Sequence, residues 1–336
     1  MRQRFTAIVP VAGAGTRLKP HTNTFPKVLL TVGHKPILGH ILDQLEEIGK
    51  PEIRMVIGYM GDKIRAYVDS RYPHLNVTYV EQPQPRGLGH AVWLASKGVS
   101  GPVFILLGDT ILDGDMRQFI EFRESRIGVR EVADPRRFGV VEIKDGFVSS
   151  LVEKPKEPKS NLAIVGAYSF TDCAALRKNL DGLIRSGKTT GGEIQLTDAI
   201  MNMVRHGLKI RPAGIDGWHD CGKPETLLET NRHLLNKHRA KFSPRLPGCL
   251  VVPPVYMAKT ARAENCIIGP YVSVGEGARI SSSIISDTII NENARISSAI
   301  LNNSLIGPGA ALAGAGQQIN IGENSEILLN PKSLAE

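Results

Sequence analysis

Cysteine is scarce in this 336-residue chain. Cys173, Cys221, Cys249 and Cys266 are the only four, they form no CxxC pair, and none stands at metal-ligand spacing with histidines. A disulfide framework and a zinc ribbon are both excluded, and the four read as reduced thiols in a reducing compartment. Aromatic residues are also few, at 5%. No basic run is interleaved with them, so no nucleic-acid groove is expected. Long apolar runs are missing too: none approaches the roughly 18 residues that cross a bilayer, and no membrane association is expected. Arg2 and Arg4 before the apolar stretch 6–14 imitate a signal peptide. The imitation is short and runs straight into a glycine-bearing turn, so a cytoplasmic protein is expected.

The composition that remains is that of a globular chain, 42% apolar and 22% charged, with room for two domains. The formal net charge of +8 attracts anions, and nucleotides or sugar phosphates answer to it as well as nucleic acid does.

From Thr6 to about His238, short β-branched runs alternate with amphipathic stretches. "TAIVPV", "IRMVIGY", "NVTYVEQ" and "PVFILLGD" read as buried parallel strands. Residues 37–48, 62–70 and 88–97 read as helices between them, the first with an apolar stripe of Ile37, Ile41, Leu42, Leu45 and Ile48. Such alternation predicts a doubly wound α/β domain whose ligands bind beyond the carboxyl ends of the strands. The turn after the first strand and the "GDT" after "PVFILL" fall there. Farther on, "FGVVEI" and "FVSSLVE" joined by "KDG" predict a hairpin, "AIVGAYSF" a strand, and the segments from Ala174 and Gln195 two helices.

Beyond about residue 243 helical patterns stop. Aliphatic residues recur at every sixth position: Ile268, Val274, Ile280, then Ile290, Ile296, then Ile306, Leu312. This hexapeptide repeat predicts a parallel β-helix of three to four coils, each face holding one aliphatic residue inward. The expected domains are therefore 1–242 and 243–336.

The stretch "VAGAGTRLKPHTNTFPK", from Val11 to Lys27, has the makings of an anion site. Its glycines let backbone N–H groups approach a phosphate, and Arg17 and Lys27 add positive charge. It is not a dinucleotide fingerprint, which would need a small residue at Leu18, nor a P-loop, which needs GK[ST].

Joined with segments farther down the chain, the stretch resembles the signature of the sugar-1-phosphate nucleotidyltransferases. "AGAGTRLKPHTNTFPKVLLTVGHKPIL" is similar to their GxGTRLxPxTxxxPKxLL…KP, and "EQPQPRGLGHA", "GDT", "FGVVE", "VEKP", "GGEIQLTDAI" and "WHDCGKPE" continue in the family's order. The resemblance covers almost the whole chain. It implies a mixed, mostly parallel catalytic sheet followed by a left-handed β-helix. It also implies roles. Ala12, Gly13, Gly15 and Thr16 would hold the nucleotide, Arg17 its β- and γ-phosphates, and Lys27 the charge building on the α-phosphate. Gln82 would read the base with help from the Gly87 backbone. Asp109 and Asp220 would bind Mg²⁺, a hard cation that takes carboxylate oxygens. Lys154 would pair with the sugar phosphate, Glu153 with sugar hydroxyls, and Gly139, Tyr168 and Glu193 would shape the sugar pocket.

Several of these residues have plainer readings: Asp109 as a helix N-cap, Tyr168 as a half-buried strand residue, Glu193 as a helix cap, and Glu153 with Lys154 as an exposed charge pair. Ala12 replaces a frequent glycine of the family, and Thr110 stands where some members carry asparagine or aspartate. His219 beside Asp220 and Cys221 lacks partners at zinc spacing, so no zinc is expected.

The implied reaction joins two anions, a nucleoside triphosphate and a sugar 1-phosphate, and needs no protein nucleophile. The sequence accordingly offers no Ser/His/Asp or Cys/His constellation. "EQPQPRGLGHAV" resembles the thymidylyl and uridylyl branches, which favours dTTP or UTP with glucose 1-phosphate; guanylyl transfer to mannose 1-phosphate is the alternative. Acyl transfer in the repeat domain is not expected, because no histidine follows His238. A non-catalytic regulatory or scaffold homologue would have lost the charged residues present here. A homo-oligomer is expected from the open ends of a short repeat.

Overall fold

A computed structural model describes residues 4–314, 320–323 and 325–328. The outer ends of the two expected domains, 1–3 and 329–336, lie outside the described residues. The chain divides into two compact units, Met1–Gly13 with His40–Trp218, and Ala14–Gly39 with His219–Glu336. The change of texture near residue 243 falls inside the second unit.

In the first unit, four parallel strands stand in the order Val77–Glu81, Glu52–Ile57, Thr6–Pro10, Val103–Leu106. Thr6–Pro10 is buried except at its last residue, and Val103–Leu106 is buried along its whole length, as sheet covered on both faces requires. From Thr6–Pro10 the chain builds outward on one side, then returns to add Val103–Leu106 on the other. That reversal opens a crevice at the carboxyl ends of the strands. Leu162–Phe170 continues the sheet antiparallel, and the hairpin Gly139–Lys144 with Phe147–Glu153 closes that side. Helices α1 (Ile37–Ile48), α2 (Gly61–Arg71), α3 (Leu88–Ala95), α4 (Cys173–Ser186) and α5 (Leu196–Arg205) match the helical periodicities.

Two strands of this sheet went unread in the sequence. Ser125–Glu131 mixes arginines and a glycine into its run, and Ile210–Gly214 carries Pro212. The second pairs parallel with the first at the sheet margin, where a missing N–H is tolerated.

The second unit contains helix α6 (Pro224–Lys237) and the repeat coil. Strands along one face of the coil stack in parallel register: Ala263, Ile280, Ile296 and Leu312 form the inward row. Ile268, Ile285 and Leu301 form another on the next face. This is the expected parallel β-helix. Its first face holds five described strands, more than the three to four coils counted from hexads; the first of them carries Ala263 inward, which escapes an aliphatic count. Corners are turned by residues of positive φ, Asn265, Ser282 and Ser298 in one column, of which asparagine is the type whose short polar side chain tolerates the left-handed region.

Candidate functional site

In the first unit the expected nucleotide residues gather at the carboxyl end of the parallel strands. Val11 N–H donates to Val56 O at 2.8 Å and Gln82 N–H to Ile57 O at 2.8 Å, so both strand ends are tied to Glu52–Ile57. Gly58 lies between them: a Cβ there would stand 2.9 Å from Ala12 Cβ and 3.1 Å from Gln82 O. Gly108 backs equally closely onto the first strand, since a Cβ would meet Pro10 O at 2.7 Å. Asp109 is thereby carried to the same end. It is half-buried and precedes strand Thr110–Asp113, so it caps no helix. Gly13 is exposed and has open space where a Cβ would stand, so packing does not demand glycine there.

Gln82 is buried at 7% exposure. Its Nε2 donates to Gly87 O at 3.2 Å and lies 3.0 Å from His90 Nδ1. Gly87 opens α3 with φ +103°, and a Cβ would stand 2.7 Å from Ile194 O and 2.8 Å from Glu193 Cβ. Backbone bonds Ile194 N–H to Arg86 O and Gly89 N–H to Ile194 O, each 2.8 Å, lock these two loops together. An expected base reader and an expected sugar contact therefore share one wall. Glu193 is exposed, accepts from Gln195 Nε2 at 3.2 Å, and precedes the N-cap of α5, which is Gln195.

The other sugar-side residues sit on the hairpin. Glu153 pairs with Gly139 in register, and a Cβ on Gly139 would stand 3.2 Å from Glu153 Oε2 and 2.8 Å from Ile164 Cδ1. Glycine at that position leaves room for the carboxylate, which also accepts from Thr197 Oγ1 at 3.3 Å. Lys154 takes φ +44°, a conformation lysine adopts only when its surroundings impose it; its N–H is held by Phe138 O at 3.0 Å. Its Nζ lies 3.4 Å from Glu153 Oε1 with the side chain 60% exposed. Tyr168 is 3% exposed, more buried than a half-buried strand residue, and its burial, together with the Glu153 charge, raises the phenol pKa.

The second unit holds Gly15, Thr16, Arg17, Lys27 and Asp220. Gly15 has φ +63°, and a Cβ would stand 2.9 Å from Lys27 Cβ. Thr22 Oγ1 closes the turn on Gly15 O at 2.8 Å. A short 3₁₀ turn, Thr16–Leu18, then presents Thr16 and Arg17 exposed, while Lys27 is buried at 8% exposure. Gly222 marks the meeting of two expected site residues. A Cβ on it would stand 2.7 Å from Asp220 Oδ1 and 3.0 Å from Arg17 Nη2. Asp109 and Asp220 belong to different units, as do Lys154 and Lys27. Sequence reasoning did not find His90, Thr197 or Gly222; "GLGHA", "QLTDA" and "DCGKP" contain them, but no spacing rule announces what they touch.

The model of the nucleotidyl transferase family matches residues 6–237. A glucose-1-phosphate thymidylyltransferase of Streptomyces antibioticus is 35% identical over 83% of this chain and 80% of its own. A UTP–glucose-1-phosphate uridylyltransferase of Haloferax volcanii is 34% identical over 68% of this chain and 96% of its own. Among solved structures, a UDP-glucose pyrophosphorylase complexed with UDP-glucose superposes with a TM-score of 0.61 at 25% identity, covering 70% of this chain and all of the other. In motif order, in sequence and in fold, the chain belongs to the nucleotidyl transferase family, as an enzyme of the sugar-1-phosphate nucleotidyltransferase class.

Proposed function

We propose that the chain transfers a nucleotidyl group from dTTP or UTP to glucose 1-phosphate, giving a nucleoside diphosphate sugar and pyrophosphate. One observation carries the reading: Ala12, Gln82 and Asp109 gather at the carboxyl ends of the parallel strands, where doubly wound sheets bind nucleotides. The names of the thymidylyl and uridylyl relatives support the choice of substrates.

In this reading a sugar phosphate oxygen attacks the α-phosphorus, the bond to the bridging oxygen breaks, and pyrophosphate leaves. The attacking phosphate is already ionised and needs no base. The obstacle is repulsion between anions, so positioned cations do the work. Arg17 and Lys27 offset charge on the triphosphate, with the Gly13–Gly15 backbone and Thr16 beside them. Gln82 and Gly87 address the base. Lys154 binds the sugar phosphate, Glu153 accepts from sugar hydroxyls, and Gly139, Tyr168 and Glu193 bound the sugar. Asp109 and Asp220 would hold Mg²⁺, which supplies charge neutralisation on phosphate oxygens. Each is a half-buried carboxylate, the kind of oxygen donor a hard cation takes, and Asp220 stands beside Arg17.

Residues 1–242 act as the catalytic domain and 243–336 as the β-helix domain. The enzyme works in the cytoplasm, which its four cysteines, all thiols, support, and as a homo-oligomer, which light scattering tests. No described helix is long and apolar enough to cross a membrane.

The deciding experiment is a matrix assay of five nucleoside triphosphates against several sugar 1-phosphates, reading pyrophosphate. Turnover is expected with dTTP or UTP and glucose 1-phosphate. Turnover confined to GTP with mannose 1-phosphate would transfer the reading to the guanylyl alternative.

A further inference from the structure

The amide of Gln82 has one orientation that its surroundings permit. Gly87 O stands 3.2 Å from one amide terminus, and a carbonyl oxygen can only accept. That terminus is therefore the nitrogen. The same nitrogen lies 3.0 Å from His90 Nδ1, so its second proton points at the imidazole, and Nδ1 must be the unprotonated, accepting ring nitrogen. His90 is 7% exposed and stacked on Trp93 with ring centroids 5.7 Å apart, which holds the ring in that attitude. Burial, and then the nearby Arg86 cation, push the imidazole pKa down, which keeps Nδ1 an acceptor at neutral pH.

Both protons of the Gln82 amide are thus committed to the protein. What remains is Oε1, to which no group among the described residues donates. An amide in general offers a base either a donor or an acceptor. This one offers an acceptor only.

We propose that His90 is a positioning residue for base selection: by taking the second amide proton of Gln82 it presents Oε1 to the nucleotide, so the site accepts bases with a ring N–H and rejects those with a ring nitrogen acceptor. Uracil and thymine present N3–H to such an oxygen. Cytosine and adenine present a lone pair in the equivalent place, and two acceptors facing each other leave a buried polar group unpaired. Guanine carries N1–H, so the device alone does not reject it. The inference rests on the base-reading role proposed for Gln82 and deepens it by naming the residue that sets the polarity of that reading.

The test compares His90→Phe, which keeps the ring's bulk and its packing on Trp93, with His90→Asn, whose Oδ1 can accept where Nδ1 does. UTP and CTP binding are each titrated by calorimetry, and kcat/KM is measured for both with glucose 1-phosphate. The UTP-to-CTP ratio is expected to fall about tenfold in His90→Phe, the scale of one well-placed hydrogen bond. It should stay within about threefold of the unmodified enzyme in His90→Asn, and the KM for glucose 1-phosphate should stay unchanged in both. An unaltered ratio in His90→Phe, or equal loss for both nucleotides in both variants, would overturn the proposal. So would a Gln82→Leu enzyme that still prefers UTP. Calorimetry reads the preference without turnover, so an enzyme that discriminates in binding but makes no sugar nucleotide would refute the proposed reaction and leave the His90 assignment standing.

Discussion

The hydroxyl of Ser273 lies 2.6 Å from the carbonyl oxygen of Gly33, 240 residues back along the chain, and both residues are buried. The same hydroxyl is 2.7 Å from Asn231 Oδ1, which in turn accepts the Gly33 N–H at 2.8 Å. Asn231 Nδ2 donates to Tyr271 O at 3.1 Å, and Asn291 Oδ1 accepts the Thr31 N–H at 3.2 Å. Within the second unit, α6 and the β-helix thus hold the short hairpin Thr31–Val32 with Lys35–Pro36 through a polar network, and the network spans three stretches of sequence.

Such a network is costly to break halfway, because each orphaned group keeps its desolvation penalty. Asn231→Leu leaves the Gly33 N–H without its acceptor and the Tyr271 carbonyl without the Asn231 donor, while the Ser273 hydroxyl keeps Gly33 O alone. It should lower unfolding stability by about 2–4 kcal/mol, and Ser273→Ala by about 1 kcal/mol. Urea denaturation checks both. Equal stability of Asn231→Leu and the unmodified chain would show that the network contributes nothing.

His21 should make the fold acid-sensitive. It is fully buried, neither ring nitrogen has a partner among the described residues, and burial lowers its pKa from 6.5 to about 4. The unfolded chain therefore binds the proton first as pH falls. The neutral ring costs nothing extra above pH 6.5, and stability is lost between 6.5 and 4, by about 3 kcal/mol in all. His21→Leu should flatten this part of the stability–pH curve. Parallel curves for the two proteins between pH 4 and 7 would contradict the assignment.

Lys154→Ala should raise the KM for glucose 1-phosphate about tenfold or more, the scale of a charge-assisted contact to phosphate, and leave the KM for the nucleotide nearly unchanged. Steady-state kinetics with each substrate varied in turn separates the two. A rise confined to the nucleotide would place Lys154 on the wrong substrate.

Asp109→Asn and Asp220→Asn should each cut pyrophosphate release more than about a hundredfold while the melting temperature holds. Chelation of the unmodified enzyme should abolish turnover, and added Mg²⁺ should restore it. Near-normal rates in both variants would remove these carboxylates from metal binding.

Much of this was legible in the residues. The stripe of α1, the buried run Val103–Leu106 and the inward row Ile280, Ile296, Leu312 come from a helical period, a short unbroken apolar run and a period of six, which are local properties of a chain. Strand Ile210–Gly214 was not legible, because Pro212 argues against a strand unless the pairing partner is known.

What the sequence by itself determined is the set of elements and the chemistry available to them: strands ending in glycines, cations near those ends, carboxylates suited to a hard ion, and a coil that stacks aliphatics. Only the tertiary structure decided which groups meet. Ser273 against Gly33, Arg17 and Asp220 both against Gly222, and the Gln82 amide turned by His90 are pairings between distant or differently directed groups. Their geometry comes from packing and from the cost of leaving buried donors and acceptors unpaired, and a one-dimensional spacing carries neither.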